Sequence, residues 1–183
     1  MDIHLGTLEI LPAQSYLNLL ALPVANFLSP LPKNLELGVA EIDPDFSYTA
    51  AFCKNYQVNL NQAAKCIVLE AKRGDKTWFA ACVVLANTRA DVNGLARRIL
   101  DARKVSFAQM ELAVLETSME YGAITPVGLP SNWPILIDKA VADSNLVTIG
   151  SGIRKSKLIV PGSFLSSLPN TQVLEGLGRE AIN

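Results

Sequence analysis

Two apolar runs of strand length, residues 64–71 and 77–85, are separated only by Lys72, Arg73, Gly74, Asp75 and Lys76. Runs of this length bounded by a polar, glycine-containing turn read as strands, and two so close together read as an antiparallel hairpin. The chain is thereby committed to a sheet whose faces need cover. Neighbouring segments can supply it. Residues 50–58 read as a helix, and from Asp91 onward Val92, Leu95, Ile99 and Leu100 recur on one side, with Arg97, Arg98 and Arg103 around the rest. Leu112, Leu115 and Met119 recur at helical spacing before a stop at Tyr121 and Gly122. Short strand-like runs follow at 104–107, 135–137, 146–149 and 157–160, the last running into a helix at Pro161.

Strands and helices alternate without the regularity of a doubly wound fold. The expected class is therefore α/β of the α+β type, a mixed sheet with helices around it. A chain of 183 residues suits one ordinary domain. Residues 1–45, interrupted by Pro12, Pro23, Pro30 and Pro32, read as an N-terminal extension packed on a domain that spans 46–183. The same prolines, with Asp2 and Glu9, argue against a signal peptide or a membrane span, which makes the cytoplasm the expected compartment.

Several chemistries are disfavoured by what the chain lacks. Cys53, Cys66 and Cys82 are odd in number and widely spaced, so they form neither a disulfide framework nor a metal-ligand pattern and read as reduced, buried thiols. His4 is the only histidine, which leaves little for a histidine triad or a zinc site. No metal and no cofactor is expected. A net charge of −1 does not suit a protein that coats nucleic acid through a broad basic field, and DNA is not an expected partner. Three local clusters remain: Lys72, Arg73 and Lys76; Arg97, Arg98, Arg103 and Lys104; and Arg154, Lys155 and Lys157. Each reads either as a solvated surface or as a set of phosphate contacts.

The segment Gly122, Ala123, Ile124, Thr125, Pro126 sets a flexible glycine close to a rigid proline, and Gly128 and Pro130 extend the turn. By itself it is either a helix stop with a stiffened loop or a backbone cradle for a carbonyl or oxyanion. Lys65 heads the first strand, on the same side as Ile67 and Leu69, and its ammonium either snorkels to water or meets a ligand. Asp138 closes the 135–137 run, where a carboxylate can cap the next helix or bind an ammonium. Gly150, Ser151 and Gly152 form a small turn without the lysine of a phosphate loop, and Ser151 has no histidine partner. Tyr121 and Trp133 bracket the 122–130 turn as core, pocket wall or a surface on which a base can stack.

Taken in order, the segments at 63–70, 122–126 and 133–138 resemble the YbaK family of aminoacyl-tRNA deacylases, which includes the inserted editing domain of bacterial prolyl-tRNA synthetase. The resemblance runs from Phe52 to Val173. It implies a curved, partly barrel-like sheet, and it implies that Lys65 and the turn beginning at Gly122 are catalytic. Pro126 matches the family motif directly, while Ala123, Ile124 and Thr125 fall at its variable positions and suggest a wall for a small side chain. Asp138, Gly150, Ser151 and Gly152 match segments that line the family's pocket. The substrate so implied is the acceptor end of an aminoacyl-tRNA, most readily proline tRNA carrying a small non-cognate amino acid. A synthetase or another partner would deliver it, with no role for a membrane. A fixed cation would steady phosphate or carbonyl oxygen as charge develops, and the ribose hydroxyl of the substrate would assist the attacking water. The alternative from another class is a non-catalytic module that uses the same pocket to bind an amino acid or the 3′ end of tRNA.

Overall fold

The computed structural model describes residues 4–180. The expected hairpin is present and long. Among the described residues the strands and α-helices run in the order β1 (Leu11–Pro12), α1 (Leu22–Leu28), β2 (Gly38–Glu41), α2 (Thr49–Asn55), β3 (Ala64–Arg73), β4 (Lys76–Leu85), β5 (Thr88–Ala90), α3 (Arg97–Ile99), β6 (Lys104–Phe107), α4 (Met110–Thr117), β7 (Ile135–Asp138), α5 (Lys139–Ala142), β8 (Val147–Gly150), β9 (Ser156–Val160), α6 (Gly162–Ser166), β10 (Thr171–Leu174) and β11 (Gly178–Glu180).

The strands form a mixed sheet in the order β10-β7-β4-β3-β6, a smaller sheet β1-β2-β9-β8, and a ribbon of β5 with β11. Parallel β7 lies between β4 and β10, and the pairs β3–β4 and β3–β6 are antiparallel. The two sheets meet edge to edge where Ala63 bridges Thr148 in parallel, a contact reinforced by the Thr148 hydroxyl donating to the Gln62 carbonyl at 3.1 Å. The result curves but does not close into a barrel.

Side-chain alternation divides the interior into three layers. Val68, Ala81, Val83, Ile135 and Ile137 from the larger sheet meet Val147, Ile149, Leu158 and Val160 from the smaller one, with α1 joining through Val24 and Leu28. On the far side of the larger sheet, Leu69, Cys82, Val84 and Leu136 pack beneath Val92, Ala96 and Leu177. On the far side of the smaller sheet, Ala40 and Ile159 pack under Phe52 and Cys53 of α2. Residues 4–42 thus contribute two strands, a helix and part of the core.

Two helical expectations differ from what forms. The segment after Asp91 opens as a π turn, Val92–Ala96, and only Arg97–Ile99 is α-helical. The Asp91 carboxylate accepts the N–H groups of Gly94 at 3.1 Å and Leu95 at 2.9 Å, and a Cβ on Gly94 would lie 2.5 Å from it. That close cap widens the first turn. Helix α4 stops at Ser118, in the left-handed conformation, rather than at Tyr121 and Gly122. Thr117 donates its hydroxyl to the Ala113 carbonyl at 2.6 Å and accepts the Met119 N–H at 3.2 Å, which closes the helix. The buried stripe of α4 is Ala113 and Thr117, small residues that allow close approach, while Leu115 is 72% exposed. Strands β1, β2, β5, β10 and β11 were not legible as such. The first, third and last span only two or three residues, and β10 has a burial pattern without clean alternation.

Among the described residues no helix is long and apolar enough to cross a membrane. The packing leads to a direct expectation. Ile137→Ala, at a fully buried site on β7, should cost about 3 kcal/mol in urea unfolding, whereas Leu115→Ala should stay within about 0.5 kcal/mol.

Candidate functional site

A cavity of about 240 Å³ opens beside the seam between the two sheets. Lys65 at the start of β3, Gly122, Ile124 and Gly150 line it, together with Lys157 of β9 and the aromatic residues Tyr48, Phe107 and Tyr121. The backbone explains why these groups converge. Lys65 stands two residues past the bridging Ala63, at the open edge of β3 beside β8. Strand β6 pairs only with residues 69–72 of β3, which leaves the first residues of β3 without a neighbour on that edge.

The 122–126 loop is held against the 150–152 turn by the chain itself. The Gly152 N–H donates to the Ala123 carbonyl at 2.8 Å, and the Glu120 N–H donates to the Gly152 carbonyl at 2.8 Å. A Cβ on Gly150 would lie 2.2 Å from the Ala123 carbonyl oxygen, so only glycine permits this approach. Gly122 has φ +87°, with the Tyr48 ring packed over it. Ser151 is fully buried, and its hydroxyl bonds with the Ile153 and Ser156 carbonyls at 3.0 Å and with the Ser156 hydroxyl at 2.7 Å. This network anchors the turn.

Of the residues singled out in the sequence, Lys65, Gly122, Ile124 and Gly150 share the cavity. Ala123, Thr125, Ser151 and Gly152 are buried behind that surface, as is Pro126, and none of the five lines the cavity. The Thr125 hydroxyl has no hydrogen-bond partner among the described residues. Asp138 also lies away from the cavity. It is buried at the end of β7 beside Cys82, where its carboxylate accepts the Gly178 N–H at 2.9 Å and so secures β11. It occupies the N-cap position of α5 but makes no side-chain cap bond. Trp133 is core, stacked on Phe79 with ring centroids 5.3 Å apart, whereas Tyr121 is exposed at the cavity.

The basic clusters separate on inspection. Lys72 pairs with Glu70 at 2.6 Å and Arg73 with Asp101 at 2.5 Å, both at the surface. Arg154 donates to the Ser47 hydroxyl at 3.0 Å and to the Pro44 carbonyl at 2.9 Å, and sits over the Tyr48 ring. Lys155 is exposed. Lys157, however, is only 6% exposed. Its ammonium donates to the Ser47 carbonyl at 2.7 Å and lies 5.2 Å from the centre of the Phe52 ring. The surface reading therefore fails for Lys157. Its signal in the sequence was a charge at the head of the apolar run Leu158, Ile159, Val160, two positions from Ile159, which is fully buried. Tyr48 and Phe107 had no such signal, because only the folded chain brings their loops to the cavity.

The electrostatics follow from burial. Desolvation, and then the neighbouring Arg89, lowers the Lys65 pKa below the ordinary lysine value. Desolvation lowers that of Lys157 to about 8, a shift that the nearby Cys53 partly opposes. Burial followed by the proximity of Cys82 pushes the Cys66 thiol up, and burial followed by Asp138 pushes the Cys82 thiol up to about 12. Neither thiol is a nucleophile near neutral pH. Among the described residues, no three His, Cys, Asp or Glu side chains are grouped as metal ligands. What the cavity presents is cationic side chains, a glycine-opened backbone and aromatic rings. These are suited to an ester or phosphate oxygen and to a flat base.

The arrangement is an α+β fold with a basic, glycine-lined cavity, and known proteins share it. A candidate trans-editing enzyme for prolyl tRNA synthetase superposes with a TM-score of 0.72 at 20% identity, over 88% of this chain and 97% of the other. A hypothetical protein superposes with a TM-score of 0.73 at 17% identity, over 86% and 99%. A scaffold protein used for computational grafting of epitope backbones gives 0.72 at 19% identity, over 88% and 97%. At these identities the likeness is one of fold. No curated protein matches the chain. The family described as the aminoacyl-tRNA editing domain matches residues 43–166, and the chain belongs to that family.

Two measurements test this geometry. Gly150→Ala should destabilise the protein by about 2 kcal/mol or more in chemical unfolding, because the added methyl meets backbone rather than a movable side chain. In a carbon-detected NMR titration Lys157 should lose its proton near pH 8, well before the exposed lysines. The unfolded chain then binds the extra proton between about pH 8 and the ordinary lysine value, so the Lys157 contribution to stability should rise with pH across that window.

Proposed function

We propose that the protein is a trans-acting editing deacylase that hydrolyses the ester of a mischarged aminoacyl-tRNA, with proline tRNA carrying a small non-cognate amino acid as its substrate. The observation that carries this reading is the convergence of Lys65, Gly122 and Gly150 on one cavity in a chain of the editing family. The fold shared with a candidate trans-editing enzyme for prolyl tRNA synthetase supports the choice of tRNA. The domain would comprise residues 46–183 with 1–45 packed on it, working in the cytoplasm on substrate delivered by a synthetase or another partner.

The chemistry asked of the chain is modest. Lys65 would hold a phosphate or carbonyl oxygen as negative charge develops, and N–H groups of the loop that begins at Gly122 would face the ester carbonyl. Water would be activated by the substrate's own ribose hydroxyl, since the cavity lining holds no histidine, no acid and no thiol of ordinary pKa. Ile124, Ala64 and Ala113 would limit the acyl side chain that fits.

The test is deacylation of tRNAs carrying Ala, Cys, Ser, Thr and correctly attached Pro. Lys65→Ala should lower kcat/KM on the cleaved ester by about 100-fold, with its unfolding midpoint close to that of the parent. Equal turnover by the variant would remove Lys65 from catalysis. Absence of cleavage of every ester by folded wild-type protein would overturn the enzymatic reading in favour of a binding module.

A further inference from the structure

The residues lining the cavity include two lysines, Lys65 and Lys157, and no aspartate or glutamate. Lys157 is more than nine-tenths buried, yet no carboxylate pairs with it among the described residues. An ammonium carries three donors. One is used on the neutral Ser47 carbonyl, and the Phe52 face supplies a weak attraction on another side. A buried charge normally has a counter-charge, because an aromatic face and one carbonyl do not replace lost hydration. Lysine is also a costly way to tie Ser47 to β9, a task any neutral donor performs. Arg154 already binds the Ser47 hydroxyl and the Pro44 carbonyl from the same stretch of chain. The depressed pKa of Lys157 reports the same unmet charge.

We propose that Lys157 is a ligand-binding residue whose ammonium receives an anionic oxygen of the bound molecule at the inner wall of the cavity, opposite the neutral Ser47 carbonyl. Two parts of an aminoacyl-tRNA end carry such oxygens, a carboxylate on the acyl side chain and the phosphodiester of the terminal nucleotide. Both place negative charge where the chain has left an unpaired cation, and the small apolar walls at Ala64, Val68 and Ala113 admit either beside a compact body. The site also disfavours a second ammonium nearby, so the α-amino group of an acyl ligand would turn toward the open mouth.

The inference depends on the editing reading only for the choice of probes, and its test reads binding rather than cleavage. Calorimetry would compare four amide-linked, non-hydrolysable probes: alanyl-adenosine and aspartyl-adenosine, each with and without a 5′-phosphate. At least one anionic probe should bind about tenfold or more tightly than neutral-side-chain alanyl-adenosine lacking phosphate. In Lys157→Met that ratio should collapse to about one. Lys157→Gln, which keeps a neutral donor for Ser47, should show the same collapse and covers the case in which the methionine variant does not fold. A gain with the aspartyl probes identifies an acyl carboxylate, and a gain with the phosphorylated probes identifies the nucleotide. Failure of both anionic groups to improve binding, or an improvement that persists in both variants, would overturn the proposal and leave Lys157 as a strap for Ser47. Lys157-dependent preference in a protein that cleaves no ester would refute the editing reading while leaving this one intact.

Discussion

The edge-to-edge contact of Ala63 with Thr148 holds the rest of the site together. It joins the larger sheet to the smaller through one bridge and one hydroxyl bond, and it fixes how the start of β3 lies beside β8. Because β6 covers only residues 69–72, the first turn of side chains on β3 is left open at this seam. The cavity is the space that results. Lys65 comes to it from one sheet, and Gly150 and Lys157 come from the other.

Glycine then decides how closely the loop can follow. The 122–126 segment rests on β8 because Gly150 offers no Cβ, and its Ala123 carbonyl accepts the Gly152 N–H. Backbone packed in this way is rigid, and rigidity is what a carbonyl-binding surface requires, since its donors must already point at the developing charge. Ser151 contributes from behind. Its buried hydroxyl network reaches Ser156, whose own hydroxyl donates to the Leu19 carbonyl, so the N-terminal segment braces the turn.

Cation without counter-charge is the electrostatic theme of the cavity. Glu120, next to the lining residue Tyr121, is engaged by the Arg154 N–H. The protein thereby keeps two lysines free of carboxylates in a partly desolvated space, where a fixed charge acts more strongly on an oxygen than it would in water. Membership of the editing family gives this a direction, because an aminoacyl ester next to a phosphodiester is rich in such oxygens.

The sequence alone determined what depends on local pattern. The long apolar runs read as the β3–β4 hairpin, the α+β class followed from the mixture of segments, and Lys65 and Gly122 were singled out by the resemblance to the editing family, their charge and turn chemistry alone leaving other readings open. Tertiary structure alone decided what depends on distant partners. Lys157 looked like one member of a surface cluster with Arg154 and Lys155, and its burial arises from α2 folding Phe52 over β9. Asp138 offered two local roles, yet its carboxylate is claimed by β11, forty residues away and too short to be recognised as a strand. Leu115 sat in a helical pattern that pointed inward, but the approach of α4 was set by the small Ala113 and Thr117. Periodicity records which faces of an element are apolar. Which face meets which neighbour is fixed by contacts between segments far apart in the chain, and those contacts come into being only on folding.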